Sequence, residues 1–275
     1  MPDTTVKHFI VPRFFCWQNP KYPHDIFDTS FLATQLPLTQ NILRSLENQT
    51  NKNFDLIFRM HEKHFSEPKY EFIFSTLKNS TTLPIKFATR KEIYSLLEKA
   101  SDDYDYVITS RMDFDDFIYK DAVADTQSKI QNCNSILAYG YCKGYTYVSG
   151  ELYDHKNSFG GVGHHSILQS LILKSSFAKT IPFVCVTNFA HDKFKIGMED
   201  FLEKNGVAFS ESMFQQNTST NAYIYFRHEY SLLQLRKHGN TQIKTPNRPL
   251  LTSANITKKQ LEEEFGFYCD VKSIG

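Results

Sequence analysis

Hydrophobic positions in the first 110 residues follow two alternating rhythms. Lys7 to Phe15 holds the apolar run Phe9, Ile10, Val11, Phe14 and Phe15, short enough for a buried strand. Gln35 to Gln49 follows, with Leu36, Leu38, Ile42, Leu43 and Leu46 at helical spacing and Pro37 near the predicted first turn, where a missing N–H does no harm. Phe54 to Met60 reads as a second strand after the turn-forming Asn51-Lys52-Asn53. A helix is predicted from near Ser66 to just before Pro84, then a short strand over Ile85 to Ala88, a helix over Lys91 to Lys99 and a strand over Tyr104 to Thr109. This alternation predicts an α/β fold, a mixed and mostly parallel sheet flanked by helices, with working groups at the carboxyl ends of its strands.

Beyond residue 120 the rhythm loosens. Strands are predicted over Ile136 to Cys142, Tyr145 to Val148, Pro182 to Thr187 and Ala222 to Phe226, and helices over His164 to Lys174 and Glu199 to Lys204. Thr257-Lys258-Lys259-Gln260 has the form of a capping box before a short helix ending near Phe265. No repeat or linker interrupts the first 235 residues, so residues 1–239 are expected to form one domain and residues 240–275 a tail docked on it.

Composition narrows the choice of partners. Lys+Arg 31 against Asp+Glu 30 gives a net charge of +1, so no global field recruits nucleic acid, and membrane association is expected to be peripheral at most. A chain of 275 residues with 15% aromatics but only 11 Gly and 10 Pro excludes collagenous and low-complexity classes. Five cysteines without C-x-x-C spacing argue against a disulfide scaffold or structural zinc. The N-terminus has no basic head followed by an apolar core, and no stretch is apolar enough to span a membrane, which together predict a cytoplasmic protein. The sequons at Asn48, Asn79, Asn217 and Asn255 carry no weight in that setting.

Candidate chemistry concentrates where the strand over Tyr104 to Thr109 runs into Ser110-Arg111-Met112-Asp113-Phe114-Asp115-Asp116. If this segment stays extended, Asp113 and Asp115 point the same way and can share one hard divalent cation, with substrate phosphates completing its shell. An acidic loop tip is the bland alternative. A nucleotidyl- or phosphotransferase would use the same pair, but the chain has neither a Walker lysine nor a kinase glycine loop. A carbohydrate- or Ca²⁺-binding module is weaker still, because no Gly follows Asp116 as an EF-hand loop requires. Gly160-Gly161-Val162-Gly163-His164-His165 lacks a nucleotide fingerprint and reads instead as a sugar-contacting loop, making Gly161, Gly163, His164 and His165 substrate-contact candidates. Tyr139, Tyr141, Tyr145 and Tyr147 fit sheet packing as well as sugar stacking.

RMDFDD after a strand resembles the Asp-x-Asp site of GT-A glycosyltransferases. Together with Phe9–Arg13, Leu36–Leu38, Ser45-Leu46-Glu47-Asn48-Gln49-Thr50, Phe54–Arg59 and Arg227-His228, it resembles the rhamnosyltransferase family of bacteria and large viruses. The resemblance spans about residues 7 to 235 and implies a GT-A-like fold that moves rhamnose or another hexose in surface-glycan or polysaccharide synthesis. It also implies a nucleotide-diphospho-sugar donor, a glycan or lipid-linked acceptor, and Mn²⁺ or Mg²⁺ bridging the donor phosphates. In that reading Asp115 contacts the metal, Asp113 holds ribose or metal, Asp116 orients the loop or joins the ligands, and His228 is the third ligand. Arg13, Arg59, Arg111 and Arg227 would meet the donor. An inverting transfer also needs a carboxylate to deprotonate the acceptor. Gly197-Met198-Glu199-Asp200 resembles the Glu-Asp pair opening a helix in such enzymes, which nominates Asp200, then Glu199, with Glu151 and Asp154 in reserve.

Overall fold

The computed structural model describes residues 4–16, 24–148, 151–156, 168–190, 193–227, 254 and 256–267. Its first half alternates strand and helix: β1 (Val6–Arg13), α1 (Thr29–Glu47), β2 (Asp55–Arg59), α2 (Glu62–Ser66), α3 (Glu71–Asn79), β3 (Ile85–Ala88), α4 (Arg90–Asp103) and β4 (Tyr106–Asp113). All four strands are parallel, in the order β3-β2-β1-β4. Helices cover both faces, which is why these strands read as continuous apolar runs. On one face Leu36, Ile42, Leu43 and Leu46 of α1 and Ile73 and Leu77 of α3 pack on Ile10, Leu56 and Phe58. On the other, Ile93, Leu97 and Ala100 of α4 pack on Phe9, Val11, Ile57 and Val107.

Local chemistry sets the helix ends. The Asp28 carboxylate accepts from the Ser30 and Phe31 N–H groups at the start of α1, and Thr89 and Glu92 form a reciprocal capping box on α4. Because α1 begins at Thr29, Pro37 lies inside the helix rather than in its first turn. It has no N–H to offer the carbonyl four residues earlier. The single helix expected over residues 66–83 is divided into α2, a 3₁₀ turn at Pro68–Tyr70 and α3, since Pro68 disfavours helical backbone at Glu67.

The second half comprises β5 (Phe117–Ile118), α5 (Ala122–Ser128), β6 (Ile136–Val148), β7 (Glu151–Lys156), β8 (Gln169–Lys174), α6 (Ser175–Ala178), α7 (Phe194–Lys204), β9 (Phe214–Arg227) and α8 (Lys258–Phe265). The sheet continues from β4 through β8, β6 and β9 to β5, with β7 on β6, making nine strands among the described residues. β8 is antiparallel to both β4 and β6, whereas β6 and β9 are parallel. The architecture is the α/β mixed sheet expected, with parallel pairing concentrated in the first half. At Gly144 a Cβ would lie 2.4 Å from the Tyr223 ring, so only glycine lets β6 approach β9 there.

Three expectations change in this half. The predicted helix over 164–174 is replaced, where described, by strand β8, whose Leu171, Ile172 and Leu173 are buried between β4 and β6. Residues 182–187 form no strand. They lie irregularly under the sheet, with the Val186 N–H donating to Thr109 Oγ1 at 3.0 Å and a 3₁₀ turn at Val186–Asn188. The helix expected from Glu199 begins at Phe194.

Helix α8 and the residue pair after it pack into the core. Leu261, Phe265 and Phe267 pack with Phe117, Tyr145, Tyr147 and Phe226. Gly266, at φ 67°, closes α8 in the left-handed conformation that favours glycine. Among the described residues no helix is long and apolar enough to cross a membrane.

Candidate functional site

Parallel pairing brings the carboxyl ends of β1, β2 and β4 to one edge. Register sets Arg59, Arg13 and Asp113 side by side, since Arg13 is the partner of both others. Register partners share a face. Arg111, two residues before Asp113, lies on the same face but deeper. That face therefore passes from the apolar layer under α4 to one guanidinium and then to an edge row of two guanidiniums and a carboxylate.

Arg13 and Asp113 form an ion pair in which Arg13 Nε donates to Asp113 Oδ1 at 3.1 Å and Nη2 donates to the same oxygen. Burial would lower the Arg13 pKa, but the Asp113 charge and hydrogen bond outweigh it and raise it. Strand β4 ends at Asp113, and Phe114 and Asp115 form a turn, so the extended segment expected from the sequence stops two residues before Asp115. Asp115 follows in that turn, and the negative charges of both Asp113 and Asp115 raise the pKa of Arg13 and of Asp116. The turn is held from α1 by Asn41, whose Nδ2 donates to the Asp115 carbonyl at 3.3 Å.

Asp116 points inward. It is 1% exposed, and its Oδ1 accepts from the Phe226 N–H at 3.0 Å. Burial first, then the Asp115 and Asp113 charges, raise its pKa well above the usual carboxylate range. It thus ties the loop to β9, with Oδ1 committed to the Phe226 N–H. The same bond brings the end of β9, Arg227, to the acidic turn.

Arg111 also departs from expectation. It belongs to β4 rather than to the loop and is 2% exposed. Nη1 donates to the Phe189 carbonyl at 2.6 Å, Nη2 donates to Gln169 Oε1, and Nε has no hydrogen-bond partner. Burial and the nearby Arg13 charge push its pKa down to about 9. Its contacts are neutral and internal, so Arg111 ties β4 to β8 and to the segment before α7 instead of facing a donor. Arg59 is half-buried at the edge, with Nε unpartnered.

Glu199 and Asp200 lie in the middle of α7, not at its start, so the helix-opening position expected of them does not hold. Glu199 pairs with Lys195 at 3.8 Å, and Asp200 is exposed. Glu151 opens β7. Gly161, Gly163, His164, His165 and His228 lie outside the described residues. Sequence reasoning missed Gln169 and Phe189, the partners of Arg111.

Asp113 and Asp115 are partly exposed hard-oxygen donors of the kind that hold Mn²⁺ or Mg²⁺ when water and phosphate complete the shell. The donor set fits such an ion. Among the described residues no three His, Cys, Asp or Glu side chains converge on a metal position.

Residues 24–225 match the family described as "Putative rhamnosyl transferase". No curated protein matches the chain. Among solved structures, TarS of S. aureus is 12% identical with a TM-score of 0.38, over 82% of this chain and 37% of TarS. HddC from Yersinia pseudotuberculosis is 16% identical with a TM-score of 0.39, over 85% and 97% of the two chains. A "putative nucleotide-diphospho-sugar transferase" from Desulfovibrio desulfuricans G20 is 11% identical with a TM-score of 0.40, over 88% and 91%.

Proposed function

The chain belongs to this rhamnosyl transferase family and is a glycosyltransferase, and from that premise we propose that it moves rhamnose or another hexose from a nucleoside-diphosphate donor to an acceptor hydroxyl, with a divalent cation, in surface-glycan synthesis. The acceptor is a glycan or lipid-linked sugar, met in the cytoplasm by a protein that touches membranes peripherally at most. The observation that supports this most is the edge row Arg59, Arg13 and Asp113, with Asp115 in the next turn.

Departure of a nucleoside diphosphate builds negative charge on its terminal phosphate. Asp115 and Asp113 would hold Mn²⁺ or Mg²⁺, with His228 as a third ligand, and the ion supplies Lewis-acid neutralisation of that charge. Arg13 and Arg59 add fixed positive charge beside it, and Arg227, the last residue of β9, is a candidate for the same role. Arg13 has a second task, since its bond to Asp113 Oδ1 fixes that carboxylate's orientation. Deprotonation of the acceptor falls to an exposed carboxylate. Asp200 is preferred, because Glu199 is engaged by Lys195.

The test is a panel of nucleotide sugars assayed for diphosphate release with and without Mn²⁺, on the native chain and on Asp115→Ala. One donor should turn over with metal and be lost in the variant. Release that survives EDTA, or an unaffected variant, would overturn the reading.

A further inference from the structure

The acidic turn is gripped by aromatic rings from beneath. Phe114, between Asp113 and Asp115, packs against Phe14 with ring centres 5.3 Å apart and against Phe15 at 5.0 Å. Phe15 in turn packs edge-on against Phe14 at 5.0 Å and against Phe31 of α1 at 5.2 Å. Three segments thereby meet under the carboxylates: the end of β1, the start of α1 and the turn leaving β4.

Backbone conformation points the same way. Phe15 has φ 42°, and among the described residues it is the one non-glycine with positive φ. An aromatic residue is disfavoured there and persists only where its surroundings over-determine it. The left-handed turn directly after Phe14 allows two consecutive rings to be used, Phe14 in the core at 0% exposure and Phe15 against the acidic turn. The loops after β1 and β4 are thus joined twice, by the Arg13–Asp113 ion pair above and the Phe15–Phe114 contact below.

We propose that Phe15 and Phe114 are positioning residues which fix the direction of the Asp113 and Asp115 carboxylates and so set the affinity for the divalent cation, an inference that rests on the reading of those carboxylates given above. The ring at position 114 immobilises a turn whose two flanking residues are the acidic ones. The strain at Phe15 is the counterpart of that immobilisation. Neither ring needs to touch donor or acceptor for this role.

The experiment is titration of Mn²⁺ alone into the full chain, followed by calorimetry, with thermal melting in parallel. Phe114→Leu and Phe15→Gly should each weaken Mn²⁺ binding about tenfold, the scale on which supports of metal ligands act. Phe15→Gly is the sharper variant: glycine removes the backbone strain along with the ring, so a loss of affinity assigns the effect to the ring. Phe114→Tyr, which keeps the ring, should restore binding. Phe74→Leu, in the same core but on α3, should lower the melting temperature and leave Mn²⁺ affinity unchanged. Native-like affinity in both Phe114→Leu and Phe15→Gly, or equal weakening in Phe74→Leu, would overturn the positioning role while leaving the metal reading intact. Absence of Mn²⁺ binding by the native chain would overturn both.

Discussion

The two halves of the sheet divide the labour differently. In the first, four parallel strands are built from adjacent stretches of chain, and their ends carry the charged groups Arg13, Arg59 and Asp113. In the second, apart from the β6–β7 pair, neighbouring strands come from distant stretches of residues 117–227, and their contacts with the edge, among the described residues, are restraints. Gln169 of β8 holds Arg111, and the Phe226 N–H of β9 holds Asp116. A charged edge built on one half is thus kept in shape by the other.

This division can be broken most severely at the second half's own core. Phe265, fully buried with Phe117, Tyr145 and Phe226, should cost about 3–5 kcal/mol when truncated to alanine, measured by urea unfolding. A cost below about 1 kcal/mol would mean that α8 is an appendage.

The seam between the halves is the next target. Arg111→Met leaves the Phe189 carbonyl and Gln169 Oε1 without their donor and should destabilise by about 1–3 kcal/mol. Combined with Gln169→Leu, the loss should be less than the sum of the single losses, because the two residues share one interaction. Strict additivity would uncouple the halves at this point.

Acid probes the same seam. His8 Nε2 lies 2.8 Å from Ser110 Oγ, which lies 2.6 Å from Ser170 Oγ on β8. Burial pushes the His8 pKa down to about 3 from 6.5, so between those values the unfolded chain binds a proton that the folded chain refuses. Its contribution therefore lowers stability as pH falls through that window, by at most about 1.4 kcal/mol per pH unit. His64, also lowered by burial, adds in the same direction. Unfolding of His8→Gln at pH 7 and pH 5 should show a smaller loss on acidification than the native chain.

The smallest effect is expected on α7. Glu199→Gln removes a partly exposed pair with Lys195 and should change stability by less than about 0.5 kcal/mol. A large fall in turnover with unchanged stability would transfer the base role from Asp200 to Glu199.

Legibility followed the same divide. The runs around Phe9–Val11 and Val107–Ile108 were readable as strands because burial on both faces leaves few polar interruptions, and the intervening helices keep their periodicity and caps. Leu168 to Leu173 offered the same apolar density without a decisive period, and only its place between β4 and β6 makes it a strand. Phe183 to Val186 has β-branched character, yet its backbone is committed elsewhere, as the Val186 bond to Thr109 shows. At the site, the acidic motif and its location past a strand were visible in the sequence. The inward turns of Arg111 and Asp116 were not, because they depend on Gln169, Phe189 and Phe226, partners that are 58 or more residues away in the chain.

The central claim, that the carboxyl edge of the parallel half takes a nucleoside diphosphate through a cation held by the acidic turn, is tested most directly by calorimetric titration of UDP, GDP and dTDP with and without Mn²⁺. At least one should bind the native chain only when Mn²⁺ is present, and Asp115→Ala should abolish this binding without unfolding the protein. Binding that is indifferent to Mn²⁺ and to Asp115, or no binding by any of the three, would contradict it.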